Sequence, residues 1–130
     1  MLAPRKTLWS TPAEAIERAI ELLNISADDV VFDVGCGDGR FLIRCHELTS
    51  ARCIGVEIDS ERANDAVANI SAIGYDESCM IVNKNALEYD YSDGTVFFLY
   101  LIPRGLKLML PILRGQYFSI FDFFNYMGLE

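Results

Sequence analysis

The sequence predicts an α/β fold: a doubly wound, mainly parallel sheet with helices on both faces. Three observations carry this expectation. Short apolar runs alternate with helical patterns along the chain, as a parallel sheet with crossover helices requires. The first run, Val30–Val34, closes on a glycine-rich turn that leads straight into a helical pattern. The length of 130 residues, with 52% hydrophobic and 12% aromatic content, suits one packed domain rather than two, or a disordered chain. We therefore expect residues 1–130 to form a single domain, with 1–10 as a mobile arm.

The elements follow in order. Thr11–Pro12–Ala13–Glu14 gives a helix start, with Thr11 as cap, Pro12 at the first helical position and Glu14 closing a capping box. Ile16, Ala19, Ile20 and Leu23 then recur at helical spacing and predict one buried face. Val30–Val34 reads as a buried parallel strand. A second helix is expected from about Asp38 to Leu48, with Phe41, Leu42, Cys45 and Leu48 as its apolar stripe. Arg52–Ile58 is the second strand. Ser60 is the expected cap of a third helix, Ala63, Ala66, Val67 and Ile70 its stripe, and Gly74 its stop. Cys79–Val82 and Val96–Leu101 read as strands, Pro103 to Leu113 as a helix, and Gln116–Phe124 as a fifth strand.

The turn Asp33–Val34–Gly35–Cys36–Gly37–Asp38–Gly39–Arg40 is the strongest local signal. Ligands of open α/β sheets sit at the carboxyl ends of the strands, so the first strand must end where a ligand can come close. Gly35 and Gly37 lack the Cβ atoms that would block approach, and Gly39 lets the chain pass into the next helix. That helix start offers free N–H groups to an anion, such as the carboxylate of an amino-acid tail on a nucleoside. The spacing is G-x-G-x-G, whereas the dinucleotide fingerprint is G-x-G-x-x-G. A ligand-free turn and a nicotinamide dinucleotide site stay open beside the nucleoside reading. Glu57 follows Gly35 by twenty-two residues, at the end of the second strand. One carboxylate there can accept hydrogen bonds from both ribose hydroxyls. Asp59 competes for this role but precedes Ser60, where it would support the helix start.

These motifs resemble those of the class I S-adenosylmethionine (SAM)-dependent methyltransferases, whose domain is Rossmann-like. The resemblance runs from about Thr11 to Leu113. Within the superfamily, T-P-A-E, D-V-G-C-G-D-G-R, G-V-E-I-D and L-Y-L-I-P together look like a small branch related to protein-lysine methyltransferases. The resemblance implies SAM as cofactor and S-adenosylhomocysteine as product. It implies that Asp33 supports the methionine moiety above the turn Gly35, Cys36 and Gly37, that Glu57 holds the ribose, and that Ile58 packs on adenine. It places Asn85, followed by Ala86, beside the adenine amino group, and makes Thr11 a further contact. No metal is implied. The acceptor would be a protein, through lysine, or a small molecule.

The fourth strand of this family ends at the acceptor. Here it reads Phe98–Leu99–Tyr100–Leu101–Ile102–Pro103, without the Asp/Asn-Pro-Pro-aromatic signature of enzymes that methylate adenine or glutamine. Tyr100 is the candidate catalytic residue, with a core aromatic as the equal alternative. His46 reads as a surface residue, and Asp90 and Asp93 as solvated loop acids.

Eleven basic and nineteen acidic residues leave a net charge of −8, which disfavours binding to nucleic-acid phosphates. Cys36, Cys45, Cys53 and Cys79 form no C-x-x-C pair, so a structural zinc site is not expected. Core thiols fit a reducing, intracellular compartment, cytoplasmic in the first instance with mitochondria left open. No run reaches transmembrane length.

The family sheet usually has seven strands. This sequence ends at Glu130, soon after Tyr117–Phe124, so the expected sheet lacks the last two strands, as a truncated or spliced form would. The apolar edge left behind would invite a homodimer through the C-terminal strand. A SAM-fold binding module with little activity is the alternative to an enzyme. A last expectation concerns stability: loss of the Glu57 side chain should leave the ligand-free melting temperature nearly unchanged.

Overall fold

The computed structural model describes residues 13–99, 103–113 and 119–122. Five parallel strands form one sheet in the order β3-β2-β1-β4-β5, with β1 (Val30–Val34) in the middle. β2 is Arg52–Val56, β3 Cys79–Val82, β4 Val96–Leu99 and β5 Ser119–Asp122. The helices are α1 (Ala13–Leu23), α2 (Arg40–Thr49), α3 (Ser60–Ala72) and α4 (Pro103–Leu113). The register pairs Asp33 with Gly55 on one side and with Phe98 on the other. This is the doubly wound arrangement expected from the alternation of patterns.

Alternation along β1 divides the core in two. Val31 packs with Ile16, Ala19, Ile20, Phe41, Leu42, Cys45 and Ile70 from α1, α2 and α3. Phe32 and Val34 face the other side, where Met109 and Leu113 of α4 pack with Phe97, Leu99 and Tyr91. Phe41 stacks on Phe98 with ring centroids 4.0 Å apart, which pins the start of α2 to β4. Truncating such a buried ring costs about 3–5 kcal/mol. The β3-to-β4 crossover has no full helix among its described residues. A 3-10 turn at Ala86–Glu88 and the aromatic rings of Tyr89 and Tyr91 cover Phe32 instead.

Several boundaries differ from the sequence reading. α2 begins at Arg40, because Asp38 and Gly39 belong to the turn. β2 ends at Val56, where the Glu57 side chain turns back on the loop. The cap of α3 is Asp59 rather than Ser60: its Oδ1 accepts the Glu61 N–H at 3.0 Å. Gly74, with φ +75°, ends that helix as expected. Leu48 and Val67 are about half exposed, so the stripes of α2 and α3 are narrower than their apolar residues suggest. β4 is described to Leu99 and β5 as Ser119–Asp122; the rest of both expected strands lies outside the described residues. The same holds for the expected arm at 1–10 and the cap at Thr11.

Cys45, Cys53 and Cys79 are buried in the α1–α3 half of the core, and all four cysteines are free thiols. His46 is half-buried rather than on the surface: its Nδ1 lies 2.8 Å from Ala51 O and its ring meets Tyr75 edge-on. No helix among the described residues is long and apolar enough to cross a membrane.

Candidate functional site

The site lies at the carboxyl ends of β1, β2 and β3, where open α/β sheets present ligands. The chain leaves β1 through Gly35 and Cys36, whose N–H groups both donate to Val56 O, at 2.8 and 3.2 Å. It then turns through Gly35, Gly37 and Gly39, with φ of +83°, +56° and +86°. L-residues with a Cβ are strained there by about 1–2 kcal/mol each. At Gly37 no atom lies within 4 Å of the place a Cβ would take, so that side of the turn is open.

The turn is supported from below. Cys36 is buried, and a Cβ on Gly55 would stand 2.7 Å from Cys36 Sγ and 2.5 Å from Leu42 Cδ1. Gly55 thus makes room for the Cys36 side chain. Burial, with the Asp33 carboxyl next, pushes the Cys36 thiol well above its usual range. Asp38 grips Arg40: Oδ1 accepts Arg40 Nε at 3.1 Å and Oδ2 accepts Nη2 at 2.8 Å. That hold keeps the Asp38 carboxyl below its ordinary range. Asn69 Nδ2 donates to Asp38 O at 3.0 Å and ties α3 to the turn.

Two carboxylates are buried beneath this surface, Asp33 at 2% and Glu57 at 5% exposure. Glu57 is engaged on both oxygens. Oε1 accepts the Gly37 N–H at 2.8 Å, and Oε2 accepts the Asp59 N–H at 3.0 Å. A carboxylate has about four acceptor positions, so each oxygen keeps room for one further donor. Asp33 differs: its Oδ1 is buried with no hydrogen-bond partner, alone in this among the described side-chain atoms. Burial first, and the Glu57 charge second, raise the Asp33 carboxyl well above its ordinary range.

The end of β3 completes the site. Asn85 is half-buried, and its Oδ1 accepts the Leu87 N–H at 3.0 Å, starting the 3-10 turn. Ala86 is buried, and its carbonyl accepts the Tyr91 hydroxyl at 2.6 Å. Ile58 is half-buried in the loop after β2. Asn83 reaches across to that loop and donates to Glu57 O at 2.9 Å and Ile58 O at 3.2 Å. A cavity of about 440 Å³ lies beside the turn, lined by Ala13, Ile16, Ile43, Asp38, Arg40 and Asn69 among others. It does not include Asp33, Gly37 or Glu57, so it neighbours the carboxylate site rather than containing it.

No protein-family model matches the chain. A protein-lysine N-methyltransferase of Saccharolobus islandicus (strain REY15A) is 36% identical over 107 residues, covering 82% of this chain and 66% of the relative. The crystal structure of an RNA methyltransferase from Salinibacter ruber, in complex with S-adenosyl-L-homocysteine, superposes with a TM-score of 0.79 at 34% identity, covering 82% of this chain and 70% of that one. The chain belongs to the SAM-dependent methyltransferase family. A geranyl diphosphate C-methyltransferase from Streptomyces coelicolor A3(2) shares the fold, with a TM-score of 0.62 at 21% identity over 67% of this chain and 32% of that one. The chain therefore spans just under two thirds of the curated lysine methyltransferase and about a third of the Streptomyces structure.

In this methyltransferase-family domain, the structure brings Asp33, Gly35, Cys36, Gly37, Glu57, Ile58, Asn85 and Ala86 to one end of the sheet. Their positions separate into three groups. The glycines and Glu57 form the surface, Cys36 and Ala86 pack underneath with buried side chains, and Asp33 lies between. Thr11 and Tyr100 lie outside the described residues. Sequence reasoning missed Asn83. Its signal was available, since Asn83–Lys84–Asn85 follows the third strand directly, but two asparagines at one strand end cannot be ranked without the fold.

Proposed function

We propose that this domain binds SAM across the ends of β1 and β2 and transfers its methyl group to a protein or small-molecule acceptor. The observation that carries this reading is Glu57, buried and oriented by the Gly37 and Asp59 N–H groups, each oxygen able to accept one more donor. Two vicinal ribose hydroxyls are such a pair of donors. The residues fit the rest of the cofactor as well. Asp33 offers a buried oxygen with no protein partner to the cationic amino-acid end. Gly37 leaves its outer side open, and Ile58 and Asn85 stand half-buried where the adenine would lie.

When bound, SAM supplies a methyl group on a sulfonium, already activated for attack. What remains for the chain is to orient the cofactor, exclude water and align the acceptor. The glycine turn and Glu57 orient; Asp33 neutralises charge at the tail. Tyr100 is proposed to align the acceptor, and Thr11 to be a further cofactor contact.

The net charge of −8 favours a neutral or basic acceptor over a polyanion. A lysine side chain, which must lose its proton before attack, suits that field, and the acceptor named for the Saccharolobus relative supports it. Four free buried thiols support an intracellular, cytoplasmic setting. Titration calorimetry with SAM, S-adenosylhomocysteine and NAD tests the cofactor. The first two should bind, and a preference for NAD would overturn the reading. Methyl transfer from labelled SAM to a lysine-rich protein, a small amine and an RNA then separates acceptor classes. Cofactor binding with no transfer to any of them would leave a binding module.

A further inference from the structure

We infer that Asn83 is a positioning residue for the nucleoside half of the site: its side-chain amide holds the Glu57–Asp59 loop in the shape that presents Glu57 and Ile58. The inference rests on the functional reading above.

The β2–β3 ladder runs in register from Cys53↔Cys79 to Val56↔Val82 and closes with the Glu57 N–H on Val82 O at 2.9 Å. Beyond that bond the two backbones are no longer paired among the described residues, yet Glu57, Ile58 and Asp59 must keep a fixed path. Asn83 continues the ladder with its side chain. Nδ2 donates to both Glu57 O and Ile58 O, at 2.9 and 3.2 Å. Its Oδ1 accepts the Ser60 hydroxyl at 3.1 Å, which fixes which way the amide faces. Only an amide of this length offers two donors to adjacent carbonyls and an acceptor behind them.

The held loop sets the site on two counts. Glu57 Oε2 is bound to the Asp59 N–H, so a shift of the loop drags the carboxylate with it. Ile58 lies between the two clamped carbonyls and follows them. Misplacement on the order of 1 Å at such a site weakens binding sharply. The amino-acid end of the site depends on Asp33 and the glycine turn of β1, which Asn83 reaches only through Glu57 Oε1 on the Gly37 N–H. Asn83 should therefore act first on the nucleoside, and more weakly on the tail.

The experiment compares S-adenosylhomocysteine with 5′-methylthioadenosine, which has the nucleoside and lacks the amino-acid tail. Calorimetry on Asn83→Ala should show both ligands weakened by a similar factor, about five- to tenfold, so their affinity ratio is unchanged. Tenfold corresponds to about 1.4 kcal/mol. Asn83→Asp keeps the size and the Ser60 contact but turns an acceptor toward two carbonyls, and should give the same pattern. Ser60→Ala, at an exposed position, should give about a twofold loss for both, and decides the matter should Asn83→Ala not melt cooperatively. Unchanged 5′-methylthioadenosine affinity in these variants, or a larger loss for S-adenosylhomocysteine than for 5′-methylthioadenosine, would overturn the inference alone. A wild-type protein that binds neither ligand would overturn the functional reading, and the inference with it.

Discussion

Glu57→Ala separates the roles of this side chain most directly. In the ligand-free protein the carboxylate accepts the Gly37 and Asp59 N–H groups at 2.8 and 3.0 Å while 5% exposed. Removing it leaves two backbone donors without acceptors at a partly buried site. Hydrogen bonds to charged groups contribute about 1.5–3 kcal/mol each. Two opposing effects reduce the sum: water can reach the open side of Gly37, and loss of the Glu57 charge relieves Asp33, whose carboxyl that charge disfavours. A net loss of about 2–3 kcal/mol follows. At about 3–5 °C per kcal/mol for a domain of this size, the ligand-free melting temperature should fall by about 6–15 °C. This differs from the expectation drawn from the sequence, in which Glu57 serves the ligand and its loss leaves the ligand-free melting temperature nearly unchanged. Affinity for S-adenosylhomocysteine should drop at least tenfold, about 1.4 kcal/mol. Thermal unfolding by circular dichroism without ligand, followed by calorimetry, reads both. A variant melting within about 1 °C of wild type would refute the structural role assigned to the carboxylate, whatever its affinity for ligand.

Asp33→Asn should stabilise the ligand-free protein at neutral pH. The Asp33 carboxyl is raised in the folded state by burial and Glu57, so the folded form holds its proton above the unfolded value. The stability this gives is fully present below pH 3.8 and is lost as pH rises toward the folded value. The melting-temperature advantage of the amide should therefore grow from pH 4 to pH 7 while cofactor affinity falls; an advantage that shrinks as pH rises would contradict the raised carboxyl. At the C-terminal edge, β5 pairs with β4 alone among the described residues. We expect association through its outer side, seen as a dimer by light scattering across a dilution series; a wild type monomeric at every concentration would remove that proposal.

The sequence by itself determined the strand–helix alternation, the glycine turn and the acid after β2, because each is a local pattern. Period-2 and period-3.6 apolar spacing follow from backbone geometry, and Gly35, Gly37 and Gly39 announce a path that other residues resist. Gly74 and the core thiols Cys45, Cys53 and Cys79 were legible for the same reason. The tertiary structure decided what these residues touch. Along the chain Glu57 shows only as a ligand-holding acid after a strand, but the fold brings Gly37, twenty residues earlier, within 2.8 Å of it. Gly55 looks like one more small strand residue until Cys36 and Leu42 close over it. Asn83 and Asn85 are equivalent in sequence, yet one bridges two strands and the other caps a 3-10 turn. Leu48 and Val67 fit their helical stripes and still face solvent, because burial depends on what packs opposite rather than on spacing. Hydrogen bonds between residues far apart in the chain leave no periodic trace, so these pairings appear only once the sheet has placed the strand ends side by side.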